Sequence, residues 1–295
     1  MDTAALRAFV AVARAGSFTG AAKALFLTQP AISKRISTLE EQLQAPLFDR
    51  VGRDIHLTEA GRLLLGKAQQ LLADMDAAQD EIRSLGEAVR GRLRIATSHH
   101  IGIHRLPTIL RAFTRDYPEV ELDLSFTDSE LAAGDVREGS VELAVVTLPL
   151  QPPRGLHLEP IWDDPLVLTC HREHPLASSM QISAANLVRH PAVLPAHGTI
   201  TRDVLERFLN DAGVTPKITL ETNYLETIKV MVAVGLGWSV LPSAMIGADL
   251  HVLPVEHWQL SRQLGIVRQE NRTASRAATQ FLRTLRQLSG SCATP

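Results

Sequence analysis

The segment Phe18–Ser37, FTGAAKALFLTQPAISKRIS, constrains the fold of this chain more than any other stretch. It reads as two short helices meeting at a tight corner. Ala21, Ala22 and Leu25 give the first helix a small apolar face. Thr28 offers a hydroxyl N-cap to the second, Gln29 follows, and Pro30 sits in the first turn, where its missing N–H breaks no bond. Ile32, Ile36 and Leu39 recur at i, i+4, i+7 on one side. Ser33, Lys34, Arg35 and Ser37 occupy the other side, and all can bond phosphates or base edges. A helix-turn-helix presents its recognition helix to a DNA major groove in this way, though an ordinary helical hairpin with a charged solvated face has the same pattern.

The flanks favour the first reading. Leu6, Phe9, Val10, Val12 and Ala13 make an apolar helix able to buttress the pair, and Leu39–Leu43 follows the second helix. Gly52 then marks a turn between two short apolar runs, which suggests a two-stranded wing with Arg50 and Arg53 at its tip. A wing would set those arginines against the DNA backbone or in the adjacent minor groove.

The run AVARAGSFTGAAKALFLTQPAISKRISTLEEQLQAPLFDRVGRDIHLTEAG resembles the DNA-binding domain of LysR-type transcriptional regulators, closely over about the first 60 residues. The resemblance implies DNA contacts from Ser17, Thr19, Thr28, Gln29, Pro30, Ser33, Lys34, Arg35, Ser37, Arg50 and Arg53. It also implies the family's order of parts. The expected fold is α/β with an N-terminal α-rich winged helix-turn-helix (residues 1–58), a linker and dimerisation helix (59–90), and a two-lobed effector-binding domain similar to periplasmic binding proteins (91–295). Lobe 1 would hold about 91–161 and 268–295, and lobe 2 about 162–267. Expected partners are promoter double-stranded DNA, a small-molecule effector, a second copy through the linker helix, a homotetramer through the sensing domains, and RNA polymerase if the protein activates.

Composition bears on these expectations in three places. Net charge is −2, and residues 17–53 hold Lys23, Lys34, Arg35, Arg50 and Arg53 against Glu40, Glu41 and Asp49. So modest a local excess makes DNA binding lean on paired modules and specific contacts more than on bulk charge. The N-terminus lacks a basic region followed by an apolar core and cleavage site, and no run of about eighteen apolar residues occurs; a cytoplasmic protein with no membrane span is expected. Cys170 and Cys292 lie far apart without metal-type spacing and read as free thiols, with a redox switch at Cys170 a remote alternative.

From Thr58 onward, Leu57, Leu64, Leu71, Ala78 and Leu85 recur every seventh residue, and so do Ala68, Met75 and Ile82 in the complementary position. This is a heptad seam suited to self-association, with packing on its own domain as the alternative. Gly86 and Gly91 mark its end. Beyond it, short β-branched runs at 93–97, 120–126, 143–146, 166–170, 192–194, 218–220, 239–241 and 264–267 read as strands. Segments 106–117, 129–138, 202–212 and 224–234 read as helices. The alternation implies mostly parallel sheets, in one doubly wound domain or two lobes; the resemblance decides for two, crossing near 161–164 and returning near 264–268.

In such sheets ligands bind at strand C-terminal ends, where helix N-termini point amides at them. By the resemblance, the effector would touch Thr97, Ser98, His99, His100, Thr127, Thr147, Thr199 and Asn223 in the inter-lobe cleft. Capping alone would account for Thr199 and Ser98. His100 and His104, at i, i+4, could share a metal, but no nearby Cys or tightly spaced acid completes the set, so an anionic effector and no metal or cofactor are expected. Gly235-Leu236-Gly237 follows a helix rather than a strand and lacks a third glycine, so it is no dinucleotide fingerprint. Neither GxSxG, HExxH nor a P-loop occurs, and no enzyme is expected. A ligand-responsive transcription factor is the favoured class, over a solute-binding protein or small enzyme using the cleft, and over a DNA-binding protein that senses nothing.

Overall fold

The computed structural model describes residues 2–51, 54–83, 88–255 and 258–290. The chain divides into two units, Met1–Arg90 with Glu138–Val141, and Gly91–Arg137 with Glu142–Pro295.

The first unit is built by caps as much as by its core. Asp2 accepts a bond from the Ala5 amide at 2.7 Å and starts α1 (Thr3–Ala15), which ends at Gly16 with φ 59°. The Ser17 hydroxyl accepts from the Gly20 amide at 3.0 Å and starts α2 (Phe18–Ala24). Thr28 caps α3 (Gln29–Leu43), which runs on through Leu39–Leu43 instead of stopping before it. Glu40 then accepts from the Leu47 and Phe48 amides at 2.7 and 3.3 Å, turning the chain into the hairpin of β1 (Phe48–Val51) and β2 (Asp54–Leu57). Arg53 and Gly52 lie outside the described residues, as does the Arg50 side chain. Phe9, Phe18 and Phe48 stack at 5.3 and 6.0 Å between ring centres, over a core that includes Ile32, Ile36 and Leu39.

The long helix α4 (Glu59–Arg83) carries the heptad residues, and part of that seam packs within its own unit. Ala68 is fully buried within its own unit, together with Leu72, and Leu64 packs against the same core. Burying a leucine there is worth about 1.5–3 kcal/mol. The chain itself therefore covers Leu64 and Ala68 of the seam, while Leu71 and Met75 stay exposed, as does neighbouring Leu63. Leu85 and Gly86 lie outside the described residues.

The second unit begins with β3 (Gly91–Thr97), α5 (His99–His104), α6 (Leu106–Asp116), β4 (Val120–Phe126), α7 (Ser129–Glu138) and β5 (Leu143–Thr147). The strand β6 (Leu156–His171) then carries the chain into α8 (Ala184–Leu187), β7 (Pro191–Leu194), α9 (Ile200–Asp211), β8 (Lys217–Glu221), α10 (Leu225–Ala233), β9 (Ser239–Pro242) and β10 (Leu250–Val252). It returns on β11 (Leu260–Gln269) and ends with α11 (Arg276–Ser289). The main sheet has the order β10-β6-β11-β5-β3-β4, with β9 also on β6, while β7 and β8 pair separately.

The sheets are mixed, not mostly parallel. Among the described strand pairs, β3–β4, β3–β5 and β7–β8 are parallel; β11 runs antiparallel to β5 and β6, and β9 and β10 run antiparallel to β6. The cause is the double crossing: outward and return strands lie side by side and so point in opposite directions. Their register shifts between Leu264 and Gly265. A Cβ at Gly265 would fall 2.2 Å from the Glu159 carbonyl oxygen, so the two backbones approach there as only glycine allows. Gly237 is similar: its φ is 154°, and a Cβ would lie 2.3 Å from the Pro191 carbonyl oxygen, beside buried Trp238. The Gly235–Gly237 turn is thus a packing device.

Candidate functional site

Between the lobes of the second unit lies a cavity of about 60 Å³. Strand ends and helix starts from both lobes line it. Ser98, His99 and His100 come from the start of α5, Thr127 follows β4, and Thr147 ends β5. Thr199 and Asn223 come from the other lobe, ahead of α9 and α10. Thr97 does not line the cavity. It is fully buried, and its hydroxyl donates to the Val145 carbonyl at 2.8 Å, so its role lies within the sheet.

The hydroxyls differ in what already occupies them. Thr199 accepts from the Arg202 amide at 3.3 Å and donates to the Ala196 carbonyl at 2.9 Å, serving as the cap of α9. Ser98 holds the N-cap position of α5 but makes no side-chain capping bond. His99 is wedged between rings, 5.4 Å from Phe126 of one lobe and 4.8 Å from Tyr224 of the other.

Two contacts tie the lobes beside the cavity. Asn223 donates to Asp128 at 2.7 Å while accepting from the Ala196 amide at 3.2 Å. Glu130, at the start of α7, accepts from the Ile200 amide at 3.1 Å, the first amide of α9. Its negative charge sits where the helix dipole favours one.

The residue that sequence reading missed is Arg262, on β11. Its side chain is 5% exposed and lines the cavity. Nε donates to Asp164 at 2.8 Å and Nη1 to the Thr201 hydroxyl at 2.5 Å, while Nη2 is buried without a hydrogen-bond partner. Arg105 also approaches Asp164, at 3.6 Å. An arginine between Ser261 and Gln263, four residues ahead of a run of Ile266 and Val267, was the available signal.

A second cluster sits at the same junction. His104 Nε2 lies 3.1 Å from Glu226, and His100 Nδ1 lies 3.6 Å from the same carboxylate oxygen. Burial pushes His100 down from 6.5 to about 4, and the charges of Arg262 and His104 act in the same direction against the pull of Glu226. The ring is neutral at physiological pH.

In the first unit, Thr19, Thr28, Gln29, Pro30, Lys34 and Ser37 are exposed, while Ser33 and Arg35 are half-buried. The α3 residues among them stand clear of buried Ile32, Ile36 and Leu39, and Gln29 donates to Ser33 at 3.1 Å. Ser17 is half-buried and engaged as the cap of α2.

A helix-turn-helix module followed by a long helix and a two-lobed α/β sensing domain defines a one-component transcriptional regulator. The family models agree: the bacterial regulatory helix-turn-helix protein, lysR family, matches residues 3–62, and the LysR substrate binding domain matches residues 86–290. The chain belongs to the LysR family and is a DNA-binding transcriptional regulator with an effector-binding domain, not an enzyme. It is 32% identical over 289 residues to a probable RuBisCO transcriptional regulator of Synechocystis sp., covering 94% of this chain and 84% of that protein. A full-length OxyR variant of Pseudomonas aeruginosa, with a single substitution at a cysteine, shares the fold, with a TM-score of 0.75 at 24% identity, over 99% of this chain and 96% of that one. The Synechocystis CcmR regulatory domain in complex with 2-PG is 26% identical, with a TM-score of 0.62, over 69% of this chain and 99% of that one. Among the described residues, no helix is long and apolar enough to cross a membrane.

Proposed function

We propose that this regulator senses a small carboxylate- or phosphate-bearing effector in the cavity between its lobes. The observation that carries the reading is Arg262, a buried guanidinium lining a polar cavity with one nitrogen unpartnered. An unpaired buried donor of this kind costs stability, and an anion there recovers it. Ser98, with its uncommitted hydroxyl, is the companion contact, joined by His99, His100, Thr127, Thr147, Thr199 and Asn223. The Asn223–Asp128 and Glu130–Ile200 bonds hold the lobes together beside the cavity, and an effector seated there would exchange them for bonds to itself. That exchange couples ligand to lobe arrangement, limited by the ligand's differential affinity for the two states. The 2-PG complex of the CcmR domain supports a small ligand in this domain type.

The same proposal takes the protein as a cytoplasmic homodimer formed through the exposed residues of α4, paired into tetramers, with Gln29, Pro30, Ser33, Lys34 and Ser37 facing a major groove. Arg35 and the wing arginines would meet the backbone, and RNA polymerase is the further partner if the protein activates.

The test is a thermal-shift series on the full-length chain with carboxylates, phosphate and phosphorylated acids. A ligand at 100 times its Kd adds about 2.7 kcal/mol. The expected outcome is a shift that disappears in Arg262→Gln; a shift retained at full size in Arg262→Gln and Ser98→Ala would place the ligand elsewhere. For the DNA face, Lys34→Ala should weaken operator binding evenly across sequences and reduce the salt slope by about one. An unchanged slope would remove Lys34 from the phosphate contacts.

A further inference from the structure

Sequence reading set a metal aside because no third ligand stood near His100 and His104. The fold supplies one. Glu226, 122 residues beyond His104, begins α10 and faces both imidazoles from the opposite lobe. Among the described residues this is the one trio of His, Cys, Asp and Glu whose ligand atoms gather within 4.8 Å of one another.

We propose that His100, His104 and Glu226 bind a divalent transition metal, of the Zn2+ or Co2+ type, that ties α5 to α10 across the two lobes. The distances carry it. Bonds of about 2.0–2.1 Å in tetrahedral geometry set neighbouring donor atoms about 3.3 Å apart. The two nitrogen-to-carboxylate separations are 3.1 and 3.6 Å, on either side of that figure. Two imidazoles and one carboxylate are a donor set that zinc takes with a coordination position left open.

A second observation is independent of these spacings. The His100 side chain is 7% exposed, and its Nδ1 is buried with no hydrogen-bond partner, 3.6 Å from the carboxylate. A buried imidazole nitrogen left without a bond is a cost to the fold that a metal removes. The rings of His100 and His104 stand 4.9 Å apart between centres, one helical turn from each other, so both can turn toward one ion. Arg262, the nearest positive charge acting on His100, is matched by its ion pair with buried Asp164 at 2.8 Å. The ligands come from both lobes, so bound metal would resist their separation and act on the same rearrangement as an effector.

The experiment uses the full-length chain without a histidine tag. Zn2+ is titrated in competition with a chromophoric chelator, and Co2+ is followed by its visible absorption. The expected result is one Zn2+ per chain and a Co2+ band of a four- or five-coordinate site. His104→Ala and Glu226→Ala should each weaken Zn2+ by at least about tenfold and abolish the band. His190→Ala, at the separate His174–His190 ring pair, should leave both unchanged. His104 is 45% exposed, so its loss leaves the fold standing, which circular dichroism checks. Zn2+ should also raise the thermal midpoint of the parent chain but not of Glu226→Ala. Wild-type affinity no better than that of the two variants would overturn the site, and so would loss of binding in His190→Ala alone.

Discussion

At the scale of single residues, the hydroxyls and the thiol separate by what they already bond. Ser98 and Thr199 look alike in sequence, each a hydroxyl ahead of a helix. Thr199 is spent on capping, while Ser98 is not. Thr199→Ala should therefore cost about 1 kcal/mol in chemical denaturation, and Ser98→Ala less than about 0.5 kcal/mol. Only the second loss would then act chiefly on effector response; equal stability costs would refute the distinction. Cys170 is fully buried, and burial pushes its thiol up to about 11. The thiolate is the reactive species, so at pH 8 the folded chain should resist iodoacetamide at this position and react once unfolded. Rapid native labelling of Cys170, read by peptide mass, would reopen a redox role; Cys292 lies outside the described residues.

At the scale of elements, most of the pattern was readable. Segments 120–126 and 129–138 form β4 and α7 with the expected bounds. The strand at 166–170 is only the far half of β6, whose 16 residues pass through Pro160, Asp163, Asp164 and Pro165. Those residues break a strand pattern locally, and the neighbouring β11 restores it, a non-local cause that no window of sequence contains. α11 is absent from the expected elements although Ala277, Ala278, Phe281, Leu282 and Leu285 are spaced as a buried helix face. The α4 seam was only partly legible for a different reason. A heptad repeat cannot say whether a partner or the same chain covers it, and Ala68 is covered by its own unit. The exposed Leu71 and Met75 are the residues to change. Leu71→Asp with Met75→Asp should reduce the tetramer to dimers held through the sensing domains in sedimentation velocity while preserving its circular dichroism. A double variant that still sediments as a tetramer would move the contact away from α4.

At the scale of the whole molecule, the cavity was legible as a set of loops but not as a site. Seven hydroxyl, imidazole and amide groups could be named from strand ends and helix starts, yet Arg262 and Glu226 reach the junction from elements far along the chain. The two crossing strands, antiparallel neighbours, come closest beside the register shift at Gly265. Gly265→Ala should destabilise the chain by about 1–3 kcal/mol, measured by denaturant midpoint, because a Cβ meets the Glu159 carbonyl. An unaltered midpoint would show that the crossing strands yield easily. If the effector occupies the proposed cavity, the Glu130 carboxylate on the first amide of α9 would give the sensor a set point of its own. An incoming anion has to outcompete an anion tethered at fixed local concentration, so its apparent affinity reads a difference, not a sum of contacts. In the proposed site, one carboxylate on α7, lining the same cavity as Ser98 and Arg262, would thereby shift the concentration at which the regulator answers.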